Sequence, residues 1–374
     1  MRQTDRVTLA TLDTAVTALR RTVWGECAFL LVLVAGLAQA LRCMGGALTW
    51  PEPTDFAAFV NNARTWLAHQ PYAVVRDPNA PHVIALFSLL LDLPLRTAMA
   101  TWLMLSVAAA GASVWVIWRA TAVSPTTQVA LILISLFLAS PPAGDMLADG
   151  NMTWALLLPF TVAWALARQG RSTEAAVIIG VLMTAKPFLA LWLVYFAVRR
   201  MWSALMTAVF AGLITCVSGL LITGPAAWLA WFDALGRIDW FDGPQNAGMA
   251  GLAARTVGVS PLLWAAGVVP LVVTNILATR RRVPAVDLDW TTTLLAALLM
   301  APLGWRYYFC WVLGPLTGYL QRSPPRLAFV MLLLLWVFTP ALGLPDWSFV
   351  ARATLGSAPF WTTLVLWLVL QRAR

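Results

Sequence analysis

Glu174 to Val198 reads EAAVIIGVLMTAKPFLALWLVYFAV. A run this long and apolar has the length of a membrane-crossing helix, about 20 residues, yet Lys186-Pro187 stands in its middle. Proline removes a backbone donor, and a break at membrane depth is tolerated where it lines protein or a water-filled cavity. The run therefore reads as two half-spans, 173–185 and 187–198, meeting near the outer face. Lys186 is the only lysine in a chain that otherwise uses arginine. An ionisable residue inside apolar sequence is costly and marks a functional position by default.

The rest of the chain has the same character. Of 374 residues, 60% are hydrophobic and only 11% charged, with a mean hydropathy of +0.77. Soluble domains carry about 25% charged residues, so an ordinary cytosolic enzyme is excluded. The fold class is an all-α polytopic membrane protein of about twelve spans: 24–44, 95–118, 126–142, 150–167, 173–185, 187–198, 201–223, 260–279, 286–302, 305–320, 326–344 and 358–371. The positive-inside rule fits this map with both termini cytoplasmic. It gathers Arg20-Arg21, Arg199-Arg200 and Arg280-Arg281-Arg282 on the inner side, with Arg168 and Arg322. The net charge of +9 is thus a topology signal, and no nucleic-acid partner is expected. The tail 1–23 is cytoplasmic and uncleaved, and 24–374 form a single transmembrane domain with outer-side loops 45–94 and 224–259. The four cysteines lack paired spacing, so neither zinc nor a disulfide framework is indicated.

Candidate chemistry gathers on the outer side. Within 45–94, Phe56, Phe59, Val60, Ala63, Trp66 and Leu67 share one helical face, an amphipathic helix lying on the membrane. Asp55 stands at its first turn, where Thr54 or Asp55 itself is equally suited to cap the helix. Val83–Leu93 is apolar but too short to span and reads as interfacial or re-entrant. Asp145 and Asp149 lie between spans three and four. The long loop carries Gln245, Asn246 and Arg255, and Arg306, Tyr307 and Tyr308 follow Pro302-Leu303-Gly304-Trp305. Each cluster alone is compatible with a solvated loop. Two carboxylates four apart lack a visible ligand set, so no metal is expected.

The order of these elements resembles a known family. Asp55-Phe56 after span one, Gln70-Pro71-Tyr72, Gly150-Asn151 opening a span, Lys186-Pro187, Asn246, and Pro302 to Tyr308 together resemble glycosyltransferase family 87. These are GT-C-type helical bundles with outer-face juxtamembrane helices that use polyprenyl-phosphate sugars, among them mannosyl- and arabinofuranosyltransferases. The resemblance runs from about residue 24 to 320, with departures. Asp149 precedes Gly150-Asn151 where such proteins often have Gly-Gln, and the long-loop motif reads Asn246-Ala247-Gly248.

The resemblance implies an inverting transfer, most readily of mannose, from a polyprenyl-phosphate donor to a lipid or glycan acceptor of the cell envelope. The setting it implies is the outer face of a bacterial plasma membrane, among membrane lipids. Asp55 matches the catalytic base. Lys186 and Arg306, with Arg64 and Arg255 behind them, are the candidates for the departing phosphate. Tyr72, Asp149, Asn151, Asn246, Tyr307 and Tyr308 are the candidates for substrate contact. No cofactor is implied, since the donor is itself a substrate. Two rival readings remain: a transporter or flippase of envelope lipids, which twelve spans and a broken helix also suit, and an inactive GT-C-like assembly subunit.

Overall fold

The structure is a computed structural model. It describes residues 23–49, 54–69, 79–121, 134–238, 241–258, 261–281, 283, 285–322, 327–342 and 347–372. The tail before Val23, the Gln70-Pro71-Tyr72 motif and the first part, 126–133, of the expected span 126–142 lie outside these residues.

The described residues are helical throughout, with no strand beyond one isolated bridge between Asn246 and Trp305. In chain order the main helices are α1 (Val23–Thr49), α2 (Asp55–Leu67), α3 (Leu95–Thr121), α4 (Pro141–Asp149), α5 (Thr153–Arg168), α6 (Ser172–Ala185) and α7 (Leu191–Val198). They continue with α8 (Trp202–Leu235), α9 (Met249–Thr256), α10 (Pro261–Arg281), α11 (Val286–Met300), α12 (Leu313–Arg322), α13 (Leu327–Val337) and α14 (Ala358–Gln371).

Among the described residues, five helical segments are long and apolar enough to cross a membrane: Leu30–Thr49, Leu95–Thr121, Trp202–Leu235, Leu262–Arg281 and Phe349–Gln371. The other apolar runs form shorter helices, and the reasons are local. Lys186 ends α6 with extended backbone, and Pro187 starts a 3-10 turn, Pro187–Ala190, before α7 resumes. The run expected at 305–320 divides into a 3-10 turn, Arg306–Val312, and α12. Val83–Leu93 does not span; it folds as one short helical turn, Pro81–Ala85, and a 3-10 piece, Leu86–Leu90.

α6 packs along α8, with Gly180 facing Ala208 and Ala211, and Met183 over Gly212. Small residues at such a crossing let two backbones approach, the usual substitute for hydrophobic drive between helices in lipid. The centre of the bundle is aromatic. Phe160 stacks on Trp311 at 5.2 Å and meets Trp192 edge-on at 5.5 Å, and Trp192 meets Trp290 at 5.4 Å.

At one end of the bundle, arginines that close α5, α7 and α12 turn onto the start of α11. Arg168 and Arg322 face Asp287, and Arg199 pairs with Asp289. Trp164 Nε1 donates to Asp287 at 2.9 Å. The charge pattern along the sequence put Arg168, Arg199 and Arg322 on one side, and they do share an end. α5 runs from this cluster to Thr153 at the other end, where the polar loops gather.

Candidate active site

Thr54 resolves the ambiguity at the start of α2. Its hydroxyl accepts from Ala57 N at 3.1 Å with extended backbone, so Thr54 is the cap and Asp55 is the first helical residue. Phe56 is fully buried, its ring 6.0 Å from Phe87 and 6.4 Å from Trp102. That anchor fixes the helix start and turns Asp55 toward a cavity of about 820 Å3.

The opposite wall is built at the α4–α5 turn. Gly150 ends α4 in the left-handed region, φ +62°, where a side chain is strained. A Cβ there would also lie 2.7 Å from Met99 and 2.9 Å from Phe56. Trp102 Nε1 donates to the Gly150 carbonyl at 2.7 Å, tying this turn to the Phe56 cluster. The tight turn sends Asp149 and Asn151 to the same cavity. Asn151 Nδ2 donates to Asp55 Oδ2 at 2.6 Å and to the Tyr307 hydroxyl at 3.2 Å. Its Oδ1 accepts from the Thr153 amide at 3.0 Å and the Thr153 hydroxyl at 2.6 Å. The amide cannot be flipped without losing these bonds, so a donor always faces Asp55.

Asp149 is mostly buried. Desolvation first, and then the negative charges of Asp55 and Asp145, push its carboxyl up to about 7.

Lys186 enters from the break between α6 and α7. It is buried, donates to Asn79 Oδ1 at 3.0 Å, and lies 5.3 Å from the centre of the Tyr308 ring. An ammonium over an aromatic face is held by the ring quadrupole. Tyr307 and Tyr308 sit edge to face at 4.8 Å and line the cavity with Trp305. Among the described residues, Lys186 is the one cation in its lining.

The other expected residues are placed differently. Arg306 grips Asp145 with Nε and Nη2, the latter at 2.9 Å, and gives Nη1 to the Thr339 carbonyl at 3.2 Å. Arg255 donates to the Ser357 hydroxyl and to the Gly243 and Asn246 carbonyls. Burial draws its basicity down to about 10, partly offset by Asp242. Arg64 is exposed and donates to Asn61 at 3.3 Å. None of these three arginines lines the cavity.

Asn246 is fully buried and uses its whole amide internally. It donates to the Phe241 and Pro302 carbonyls, and accepts from Gly248 N at 2.9 Å and Gly304 N at 3.0 Å. It staples the long loop to 302–305, and this presents Gln245 and Trp305 to the cavity. Tyr72 lies outside the described residues.

Two polar cavity residues, Asn79 and Gln245, were not among the candidates for substrate contact. Asn79 orients Lys186, and the only signal was an amide between two prolines, Pro78 and Pro81. Gln245 was one of several polar groups in its loop. Trp231 and Leu235 belong to α8 beyond Gly224, where a φ of +77° turns the helix over the cavity. Among the described residues, no group of three or more His, Cys, Asp or Glu is placed to hold a metal.

A cavity with a carboxylate-bearing helix on one side and a buried ammonium on the other suits transfer onto a hydroxyl. Comparison with known proteins gives the class. The chain matches the model of glycosyltransferase family 87 over residues 79–305. That segment holds Asn79, Asp149, Asn151, Lys186 and Gln245, while Asp55, Tyr307 and Tyr308 flank it. Neither a curated protein nor a solved structure matches. The match covers more than half of the chain, and the chain belongs to glycosyltransferase family 87.

Proposed function

We propose that this membrane glycosyltransferase moves a sugar, mannose first among candidates, from a polyprenyl-phosphate donor to a hydroxyl of a cell-envelope lipid or glycan. The reaction takes place on the outer face of a bacterial plasma membrane, with both chain termini on the cytoplasmic side. The observation that carries the reading is that Asp55 and Lys186 line one cavity of about 820 Å3, within the range of small-molecule sites.

In this reading the acceptor O–H gives its proton to the Asp55 carboxylate as its oxygen attacks the anomeric carbon. The bond from that carbon to the phosphate oxygen breaks, and its electron pair leaves with the lipid phosphate. Attack opposite the leaving group inverts the anomeric centre. Lys186 offsets the charge that grows on the phosphate, in a setting where burial strengthens the attraction. Asn151 fixes the orientation of the base, and Asn79 that of the cation. The apolar wall of Phe188, Trp231, Leu235 and Phe241 suits the first isoprene units of the donor.

The test is transfer in nanodiscs from a short polyprenyl phosphomannose to a panel of envelope acceptors, read by mass spectrometry. Wild type adds one sugar, and a folded Asp55→Asn variant binds donor but does not transfer. Equal transfer by both removes Asp55 as base. Absence of transfer, together with absence of donor binding by wild type, removes the donor class. Binding without transfer by wild type would favour an inactive assembly subunit.

A further inference from the structure

Among the described residues, the cavity lining holds two carboxyl groups, and the reaction above needs one. Asp149 is the one that the transfer does not use, and it lines the same cavity as Asp55. It ends α4, outside the expected spans, on the turn that also carries Asn151.

The two carboxyls have unequal surroundings. Asp55 receives the Asn151 N–H at 2.6 Å, and the Thr153 bonds forbid the amide from offering its oxygen instead. A donor that cannot turn stabilises the ionised form of Asp55. Asp149 has no such donor. Among the described residues it makes no ion pair, and no side-chain hydrogen bond is formed to it.

The charged and titratable groups around Asp149 can be named element by element. They are Asp55 on α2, Cys43 on α1 with Arg42 beside it, Tyr307 on the 3-10 turn with Tyr308 against it, and Asp145 on α4 itself, while Lys186 lines the same cavity. Arg306 is committed to Asp145. The Asp149 carboxyl therefore sits half-stranded beside an anion, and its affinity for a proton is raised to about 7 by burial and by its acidic neighbours.

We infer that Asp149 is a second functional carboxyl of the cavity, serving as an uncharged acid beside ionised Asp55, and that its ionisation excludes the anionic donor. The inference rests on the donor reading given above. With Asp149 neutral, the cavity lining carries one carboxylate and one ammonium, and a singly charged phosphodiester enters against balanced charge. With Asp149 ionised, the donor meets two carboxylates and one ammonium in a partly desolvated space, where like charges repel strongly. Asp149 gives up no proton during transfer; the acceptor proton still goes to Asp55.

The probe is a short polyprenyl phosphomannose, a phosphodiester whose single charge is constant near neutrality, so only the protein titrates. Burial lowers the proton affinity of His82 below that of an ordinary imidazole. Binding to the full chain in nanodiscs is measured at pH 6 and pH 8. If only the neutral form binds, wild-type affinity falls about tenfold between them, because the competent fraction falls by that factor. The affinity of Asp149→Asn stays level. Infrared difference spectra give an independent readout that needs no substrate. Wild type shows a protonated-carboxyl C=O band at pH 6 that fades through pH 7. Asp149→Asn lacks it, and in Asp55→Asn it fades at lower pH because one acidic neighbour is gone.

An equal loss of affinity in Asp149→Asn and wild type, or a C=O band that Asp149→Asn retains, overturns the inference. Absence of donor binding by wild type at both pH values removes the donor reading and the exclusion with it. The infrared band separately decides whether Asp149 is the neutral carboxyl.

Discussion

Asn151 Nδ2 lies 2.6 Å from Asp55 Oδ2, and the Asn151 carbonyl is held by both the amide and the hydroxyl of Thr153. The contact joins residues 96 apart in sequence and fixes which end of an amide the Asp55 carboxyl sees. Asn151→Ala removes one hydrogen bond to a charged group, worth about 1.5–3 kcal/mol. The expected outcome is a kcat lower by roughly 10- to 100-fold, with donor KM changed much less. A single-turnover rate measured beside donor binding separates the two. A loss confined to KM would remove the orienting role.

Lys186→Met keeps length and apolar volume but removes the charge. Donor binding should weaken and kcat should fall, and Lys186→Arg should rescue little. The ammonium fits between the Asn79 carbonyl and the Tyr308 ring as a point charge, whereas a guanidinium is planar and larger. Rates for the three proteins at saturating donor check this.

Asn246→Ala should act on stability. Its amide satisfies two backbone N–H groups and two carbonyls, all lost together. Each buried group left unpaired costs about 1–3 kcal/mol. We expect a clear drop in Tm in detergent and faster proteolysis of the 241–258 segment. A variant with native Tm and lost activity would instead point to direct substrate contact.

Arg306→Ala leaves Asp145 without its cation, and breaking one side of a buried pair costs about 3–5 kcal/mol. Removing both charges, as Arg306→Met with Asp145→Leu, should restore much of the lost Tm. If Arg306 instead served the donor phosphate, the double variant would be stable but deficient in donor binding.

Raising the pH should weaken wild type more than Asp149→Asn. The folded state holds the Asp149 proton up to about 7, from an ordinary value of 3.8. A group whose folded pKa is raised lends stability at low pH and loses it as pH rises through the folded value. The Tm of Asp149→Asn relative to wild type should therefore increase from pH 4 to pH 8, with most of the change complete near pH 7.

Much of the architecture could be read from local signals. Thr54-Asp55, Gly150-Asn151 and Lys186-Pro187 each combine a cap, a left-handed turn or a proline break with a polar group, and local backbone rules decide such places. The cavity brings together Asp55, Asp149, Asn151, Lys186, Tyr307 and Tyr308 from four separate segments. What sequence does not carry is which polar groups are consumed internally. Arg306, Arg255 and Asn246 look as available as Lys186 in one dimension, and only tertiary contacts show that their donors are spent on Asp145 and on backbone carbonyls, and that the Asn246 oxygen accepts from two glycine amides. Span number is hard to read for a related reason. Apolar runs such as 150–167 and 305–320 predict burial, but burial inside a helical bundle and contact with lipid select the same residues.

The kink at Gly224 has one more consequence. Between Arg199-Arg200 and Gly224, α8 runs straight from Trp202 to Thr223, which at 1.5 Å per residue is roughly 33 Å. The hydrocarbon layer of a bilayer is about 30 Å thick. In the membrane placement proposed above, the straight segment is thus a measuring rod, with arginines at one leaflet and the bend at the other. Because Trp231 and Leu235 follow the bend into the cavity wall, the height of the reaction chamber above the lipid is set by the length of this one segment. Reconstitution into lipids of graded acyl length should give a turnover optimum at matched thickness. Bilayers too thick would submerge the chamber mouth, and bilayers too thin would lift it away from a donor whose tail stays in the membrane.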